Sequence, residues 1–296
     1  MGMKQSGGVK SNIPVYIELA KSMIGQFISR LEHFRQECED DADRFGMSPS
    51  FMERVRPFFQ FLYHDYFRVD AYGADNVPEK GPAILVANHS GTVPYDATMS
   101  HLAVYNNLRN ERAVRFLVDD FIFNIPILGK VMEKIGGVRA SFENAMELLE
   151  DGHLVMIFPE GIEGIGKLYD ERYNVQEFRR AGFVRLAIKM KVPVIPVSIV
   201  GAEEIHPLIW KSEKFAEHFG LPYIPFTPTF PWLGPLGLVP LPSKWKITFN
   251  RPISYKKFKP ADAKKNSVVL KEAAKVREII SKSLKRDLKN RKSVWE

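Results

Sequence analysis

Hydrophobic positions along this chain repeat with two periods, and each period predicts a different kind of element. Ile17, Ala20, Ile24, Phe27, Leu31 and Phe34 recur at three- and four-residue spacing, the stripe of an amphipathic helix. Acidic residues from Glu37 to Asp43 end that stripe. A second helix is predicted from Ser48, with Pro49 in its first turn, Phe51, Val55, Phe59 and Leu62 on one face, and a kink at Pro57. From Phe67 onward short β-rich runs alternate with helical stretches, which predicts parallel strands joined by right-handed crossovers. The predicted strands are 68–72, 83–87, 114–118, 154–158, 194–200 and 246–249. Between them Ser141 is a cap for a helix reaching Glu150, and Gly182 to Lys191 reads as a helix stopped by Pro193. Val269, Ala273, Val276, Ile280, Leu284 and Leu288 mark a last amphipathic helix whose far end is rich in Lys and Arg. The fold class is α/β, a mostly parallel or mixed sheet flanked by helices. An N-terminal helical pair (1–66) precedes the core domain (67–255), and a basic C-terminal helix (256–296) follows it.

Residues 221–243 fit neither period. They run 23 residues without a charge, enough to span a bilayer by length alone, but seven prolines exclude a transmembrane helix. The first four recur every third residue, the period of polyproline II. Tyr223, Phe226, Phe230 and Trp232 would form an interfacial membrane anchor if exposed, or pack across a sheet edge if not.

Composition narrows the function classes. A chain of 296 residues with 45% hydrophobic content can bury a sizeable core, and a single cysteine, Cys38, excludes an internal disulfide and any multi-cysteine metal site. The N-terminal residues show no apolar signal core, and Gly2 with Ser6 matches the short myristoylation string only loosely. The net charge of +7 is uneven: from Ser243 onward there are seventeen Lys and Arg against five Asp and Glu, so the remainder is net negative. A basic tail suits an anionic membrane surface or an acidic carrier protein, and equally a solvated helix face. No nucleic-acid-binding module accompanies it.

Two polar turns carry the candidate chemistry. Asn88-His89-Ser90-Gly91 follows the apolar run 83–87, with Asp96 shortly after. An imidazole whose tautomer is fixed by a carboxylate is a general base near neutral pH. Phe158-Pro159-Glu160-Gly161 follows the second apolar run, 153–157. In open α/β sheets both turns belong at the carboxyl ends of the strands, where ligands bind.

These turns, in this order, resemble the motifs of the glycerolipid acyltransferase superfamily, whose members include 1-acylglycerol-3-phosphate acyltransferases. The resemblance extends to Val69-Asp-Ala-Tyr-Gly-Ala-Asp-Asn-Val-Pro78, to Gly136-Gly137-Val138-Arg139 and to Val192-Pro193-Val194-Ile195-Pro196-Val197, and so covers roughly 67–253. It implies His89 as general base, Asp96 as its orienting carboxylate, and Arg139, Glu160 and Gly161 as contacts of the acceptor. It also implies an O-acyltransferase that uses acyl-CoA or acyl carrier protein as donor, needs no cofactor or metal, and acts on a lysophospholipid. Peripheral attachment to the cytoplasmic face of a membrane containing anionic lipid goes with that reading. Here six residues separate His89 from Asp96, two more than the common pattern. The longer turn resembles a variant that includes acyltransferases for neutral glycerides. A non-catalytic lipid-binding module is the remaining alternative.

Other readings of the same residues are weaker. Gly161 to Lys167 has P-loop spacing, but Leu168 stands where magnesium needs Ser or Thr, and Lys167 is expected in solvent. Ser90 lies outside any G-x-S-x-G turn, and His89, Asp96 and Glu160 lack the paired-histidine spacing of a metal site.

Overall fold

Val-, Ile- and Leu-rich runs with no polar face require cover on both sides, which is the environment of a central strand in an α/β sheet. The computed structural model, which describes residues 26, 29–30, 32–33, 35–90, 93–125, 127–178 and 181–296, has this architecture. Its main sheet contains β1 (Asp70–Tyr72), β2 (Ala83–Ala87), β3 (Val114–Val118), β4 (Gly137–Arg139), β5 (Leu154–Ile157), β6 (Val194–Val200) and β9 (Lys246–Phe249). The order across the sheet is β1-β9-β6-β2-β5-β3-β4, and within it only β6 and β9 run antiparallel. The sheet is therefore mixed and mostly parallel. Two further strands, β7 (Trp210–Ser212) and β8 (Ile224–Phe226), pair antiparallel with each other outside it. All six predicted strands are present. The seventh, β4, is three residues long, too short to carry an alternation.

Among the helices, α1 (Pro49–Phe61) is capped by Ser48, whose Oγ accepts the Phe51 N–H at 3.1 Å. It continues through Pro57 into a π-helical turn, Leu62–Tyr66. Phe51, Met52, Val55 and Phe59 pack against the core on the sheet face that also receives α2 (Tyr95–Asn107). The opposite face is covered by α3 (Phe142–Glu150), α5 (Gly182–Met190) and α6 (Asn266–Lys289), with the single turn α4 (Gly161–Ile165) between α3 and α5 in sequence. Ser141 caps α3 through the Asn144 N–H at 3.0 Å. The predicted first stripe, Ile17, Ala20, Ile24, Phe27, Leu31 and Phe34, lies outside the described residues.

The apolar face of α6 is spent on the core, because Val269, Ala273, Val276, Ile280 and Leu284 are all buried. Full burial of a Val, Ile or Leu side chain is worth about 1.5–3 kcal/mol, so this helix is part of the domain's packing. Polar groups seal it as well: Thr248 Oγ1 donates to Asp287 at 2.8 Å, and the Ser198 and Ser283 hydroxyls are 2.7 Å apart. The basic tail differs from the expectation of a freely solvated cation cluster. Arg291 turns inward, donating to Glu204 at 2.7 Å and to the carbonyls of Lys244 and Val294 at 2.8 and 2.7 Å. Lys285, Lys289 and Lys292 stay exposed.

Residues 221–243 also depart from the polyproline II expectation. Part of the segment is β8 and part is a 3-10 turn, Gly234–Leu238. Tyr223 is buried and its hydroxyl donates to the Ile165 carbonyl at 2.7 Å, so it is no surface ring. Trp232, Leu233, Leu236 and Val239 are more than half exposed. Among the described residues no helix is long and apolar enough to cross a membrane.

Candidate active site

Strand β2 ends at Ala87, opposite Val197, whereas its partner β6 runs three residues further to Val200, and Asn88 binds that overhang. Its side-chain amide donates to the Ile199 carbonyl at 3.0 Å and accepts the Ile199 N–H at 2.8 Å, in the manner of one more ladder residue. The main chain is thereby released, and His89 leaves the sheet at its carboxyl end. Asp96 approaches from the first turn of α2, where the helix dipole favours a carboxylate.

The two side chains meet. His89 Nδ1 lies 2.7 Å from Asp96 Oδ2, and the Asp96 side chain is fully buried. The same oxygen accepts from the Ser90 N–H at 3.1 Å, and Oδ1 accepts the Ala97 N–H at 2.8 Å. An acceptor this well supplied with donors suits the ionised acid. Nδ1–H donation to Asp96 leaves Nε2 as a proton acceptor. The six-residue spacing thus still closes into a His–Asp pair. On its other side the imidazole stacks on Phe158, with centroids 4.3 Å apart and planes 22° from parallel.

Glu160 is buried beneath this pair, and both its oxygens are occupied by the protein. Oε1 accepts the His89 N–H at 2.8 Å; Oε2 accepts the Gln176 N–H at 2.7 Å and the Lys167 ammonium at 3.3 Å. Lys167 is therefore not solvated. Its side chain is 3% exposed, and its Nζ also reaches Glu203 Oε1 at 3.1 Å. Burial pushes Glu203 up to about 7, against the opposing pull of Lys167 and the Tyr173 N–H. Burial likewise raises Tyr173 well above the ordinary tyrosine value, with Glu204 adding to it.

Two glycines shape the turn for different reasons. Gly161 has φ +55°, a left-handed conformation that disfavours a side chain, although the space beside it is open. At Gly164 the limit is contact: a Cβ there would lie 2.6 Å from Glu160 Cβ and 2.9 Å from His89 Cβ. A cavity of about 650 Å³ opens over the site, within the usual range for ligand pockets. His89, Phe158, Glu160 and Gly161 line it, with apolar walls that include Leu117, Ile122, Phe183 and Leu186. Its described lining residues include no Lys or Arg. Arg139 stands outside that lining, donating to Asp120 at 2.8 Å and lying over the Phe123 ring at 4.6 Å. It pairs with Asp120, and Glu160 pairs with Lys167, so the two motif residues do not meet.

Comparison with known proteins bears on this geometry. A family model described as Acyltransferase matches residues 68–200. An uncharacterized protein of Mycobacterium tuberculosis (strain H37Rv) is 39% identical over 94% of this chain and 79% of its own length. The chain belongs to the acyltransferase family. A human "DGAT1/2-independent enzyme synthesizing storage lipids" is 29% identical over 57% of this acyltransferase and 51% of its own length. The fold is shared with the crystal structure of the 1-acyl-sn-glycerophosphate (LPA) acyltransferase PlsC of Thermotoga maritima: TM-score 0.52, 22% identity, 82% of this chain and 80% of that one.

Sequence reasoning missed Lys167, Gln176, Glu203 and Gly164 in the acyltransferase. One available signal pointed to Glu203: like His89 and Glu160, it follows an apolar strand within a short polar turn. Gln176 acts through its main chain, which no residue type announces.

Proposed function

We propose that this acyltransferase moves a fatty acyl group from a thioester donor, acyl-CoA or acyl carrier protein, to a hydroxyl of an uncharged glyceride. The observation that carries the chemistry is the His89–Asp96 pair at the wall of an apolar cavity. His89 Nε2 takes the hydroxyl proton while the oxygen attacks the thioester carbonyl, and the carbonyl electron pair moves onto oxygen. The tetrahedral oxyanion then collapses and the carbon–sulfur bond breaks. The departing thiolate takes the proton from the His89 imidazolium, leaving an ester and a free thiol. Asp96 holds the tautomer and offsets the transient positive charge.

An uncharged acceptor is supported by the cavity lining, in which the described residues include Asp119 and Glu160 but no Lys or Arg. Among those described residues a phosphomonoester would meet like charge, with no guanidinium of theirs to bridge it. The human relative named for storage-lipid synthesis agrees with that preference. A lysophospholipid such as 1-acylglycerol-3-phosphate is the second reading, favoured by Arg139, whose sequence neighbours Ala140 and Ser141 line the cavity. Membrane contact belongs to the same proposal, because the exposed Trp232, Leu233, Leu236 and Val239 suit the interfacial zone of a bilayer.

Thiol release from long-chain acyl-CoA, measured with matched monoacylglycerol and lysophosphatidic acid acceptors, tests the acceptor class. The expected result is a kcat/KM at least about tenfold higher for monoacylglycerol. The opposite preference, together with a raised KM for lysophosphatidic acid in Arg139→Ala, would establish the phosphate reading instead. The same assay with acyl carrier protein separates the two donors.

A further inference from the structure

Lysine side chains are almost never fully buried without a partner, and Lys167 has two. Its ammonium stands between Glu160 and Glu203 at 3.3 and 3.1 Å, and it is absent from the cavity lining, so it does not reach substrate there. The base and its carboxylate make no direct contact with it. We infer that Lys167 is a positioning residue for acyl transfer, acting on His89 through Glu160.

Glu160 receives three donors, the main-chain N–H groups of His89 and Gln176 and the Lys167 ammonium. A carboxylate accepts from all three at once. A carboxylic acid carries a hydrogen of its own, which would face one of those donors and break the contact. Burial favours the protonated acid, and a neighbouring cation opposes it. Lys167 therefore supplies the charge that lets Glu160 keep hold of the His89 main chain, on the same residue whose ring must face Asp96 at 2.7 Å and Phe158 at 4.3 Å.

The surroundings show why one ammonium serves two acids. Glu203 Oε2 accepts the Tyr173 N–H at 3.0 Å, and the Tyr173 hydroxyl accepts the Gly201 N–H at 2.9 Å. Beyond them Glu204 is held by Arg291 at 2.7 Å. Tyr173, Glu204 and Arg291 lie around the cluster, Tyr169, Arg172 and His206 line a small cavity with Lys167 and Glu203, and among the described residues the ammonium contacts of Glu160 and Glu203 are both with Lys167. Removing that ammonium leaves two buried carboxylates close together, one of which takes up a proton.

The inference rests on His89 being the base proposed above, and a series of purified variants separates the two. Turnover, both KM values and thermal unfolding are measured from about pH 5.5 to about pH 9 for wild type, Lys167→Met, Lys167→Met/Glu203→Gln and His89→Ala. Above about pH 7, where Glu203 is ionised, the double variant keeps the net charge of the Glu160–Lys167–Glu203 cluster, and it serves if Lys167→Met alone does not fold. In the folded variant lacking Lys167, kcat is expected to fall between about ten- and a hundredfold, the scale of misplacing a reacting group. KM values should stay within about twofold, and activity should recover as rising pH removes the added proton. A merely structural lysine would lower the melting temperature without adding that acid limb. A folded variant with the wild-type kcat and pH profile, alongside an inactive His89→Ala, overturns the positioning role alone. Full turnover in His89→Ala overturns the base assignment and this inference with it.

Discussion

Glu160 Oε1 accepts the backbone N–H of His89 at 2.8 Å across 71 residues of sequence. This bond ties the turn after β2 to the turn after β5, two neighbouring parallel strands. His89 is consequently fixed from two directions, its main chain by Glu160 and its Nδ1 by Asp96. Both contacts come from carboxylates buried at strand or helix ends, where loop entropy is already spent.

Removing the ring should abolish proton transfer and little else. His89→Ala is expected to lower kcat by about two to four orders of magnitude, the usual yield of acid–base catalysis, while circular dichroism stays native. Asp96→Asn keeps the shape but loses the charge that favours the working tautomer, and a loss of about two orders is expected. Turnover near wild type in folded His89→Ala would remove the histidine from the mechanism.

Gly164→Ala tests the closeness of the single turn α4 to the base. The added methyl would stand 2.9 Å from His89 Cβ, so the turn or the histidine must shift. The expected outcome is a kcat loss of at least about tenfold with a stability cost of about 1–3 kcal/mol, as for overpacking. At Gly161 the space is open, and the cost of Gly161→Ala comes from its positive φ alone, about 1–2 kcal/mol. Equal kcat in Gly164→Ala and wild type would show that the site yields at this contact.

Glu203 makes stability depend on pH with a definite sign. Its folded value of about 7 exceeds the ordinary 4.5, so between those values the folded protein holds a proton that the unfolded chain releases. The associated stability is complete below about 4.5 and is lost as pH rises through about 7. Melting temperatures of wild type and Glu203→Gln should diverge between pH 5 and pH 8, with wild type losing ground at the higher pH. Parallel curves would place the Glu203 titration elsewhere.

The proposed membrane contact divides into two separable parts. Trp232→Ser with Leu236→Ser should weaken sedimentation with vesicles at any salt, because interfacial burial is apolar. Lys285→Gln, Lys289→Gln and Lys292→Gln together should weaken it mainly at low salt, where charge attraction is unscreened. If both sets sediment as wild type does, these surfaces are not the contact.

The central strands β2, β5 and β6 were legible because they are buried and read as near-continuous apolar runs; β4, with the sequence Gly-Val-Arg, was not. His89, Asp96 and Glu160 could be found because each is a polar side chain at the edge of such a run. Lys167 could not, since its neighbours Gly166 and Leu168 say nothing of burial, and its partners Glu160 and Glu203 lie 7 and 36 residues away. The 221–243 segment misled for a related reason. Proline spacing suggested a helix of its own kind, whereas the strand pair with β7 and the Tyr223 bond to Ile165 decide its course.

Asn88 has one more implication. Its amide counterfeits a peptide group, completing the seam with β6 while the real backbone departs toward His89. That role is a matter of shape and involves no reacting atom. A descendant that lost the imidazole but kept the asparagine would still fold this turn and stay silent toward thioesters. Position 88 is thus a marker of architecture and position 89, in the proposed mechanism, a marker of chemistry, side by side in the chain and answerable to separate demands.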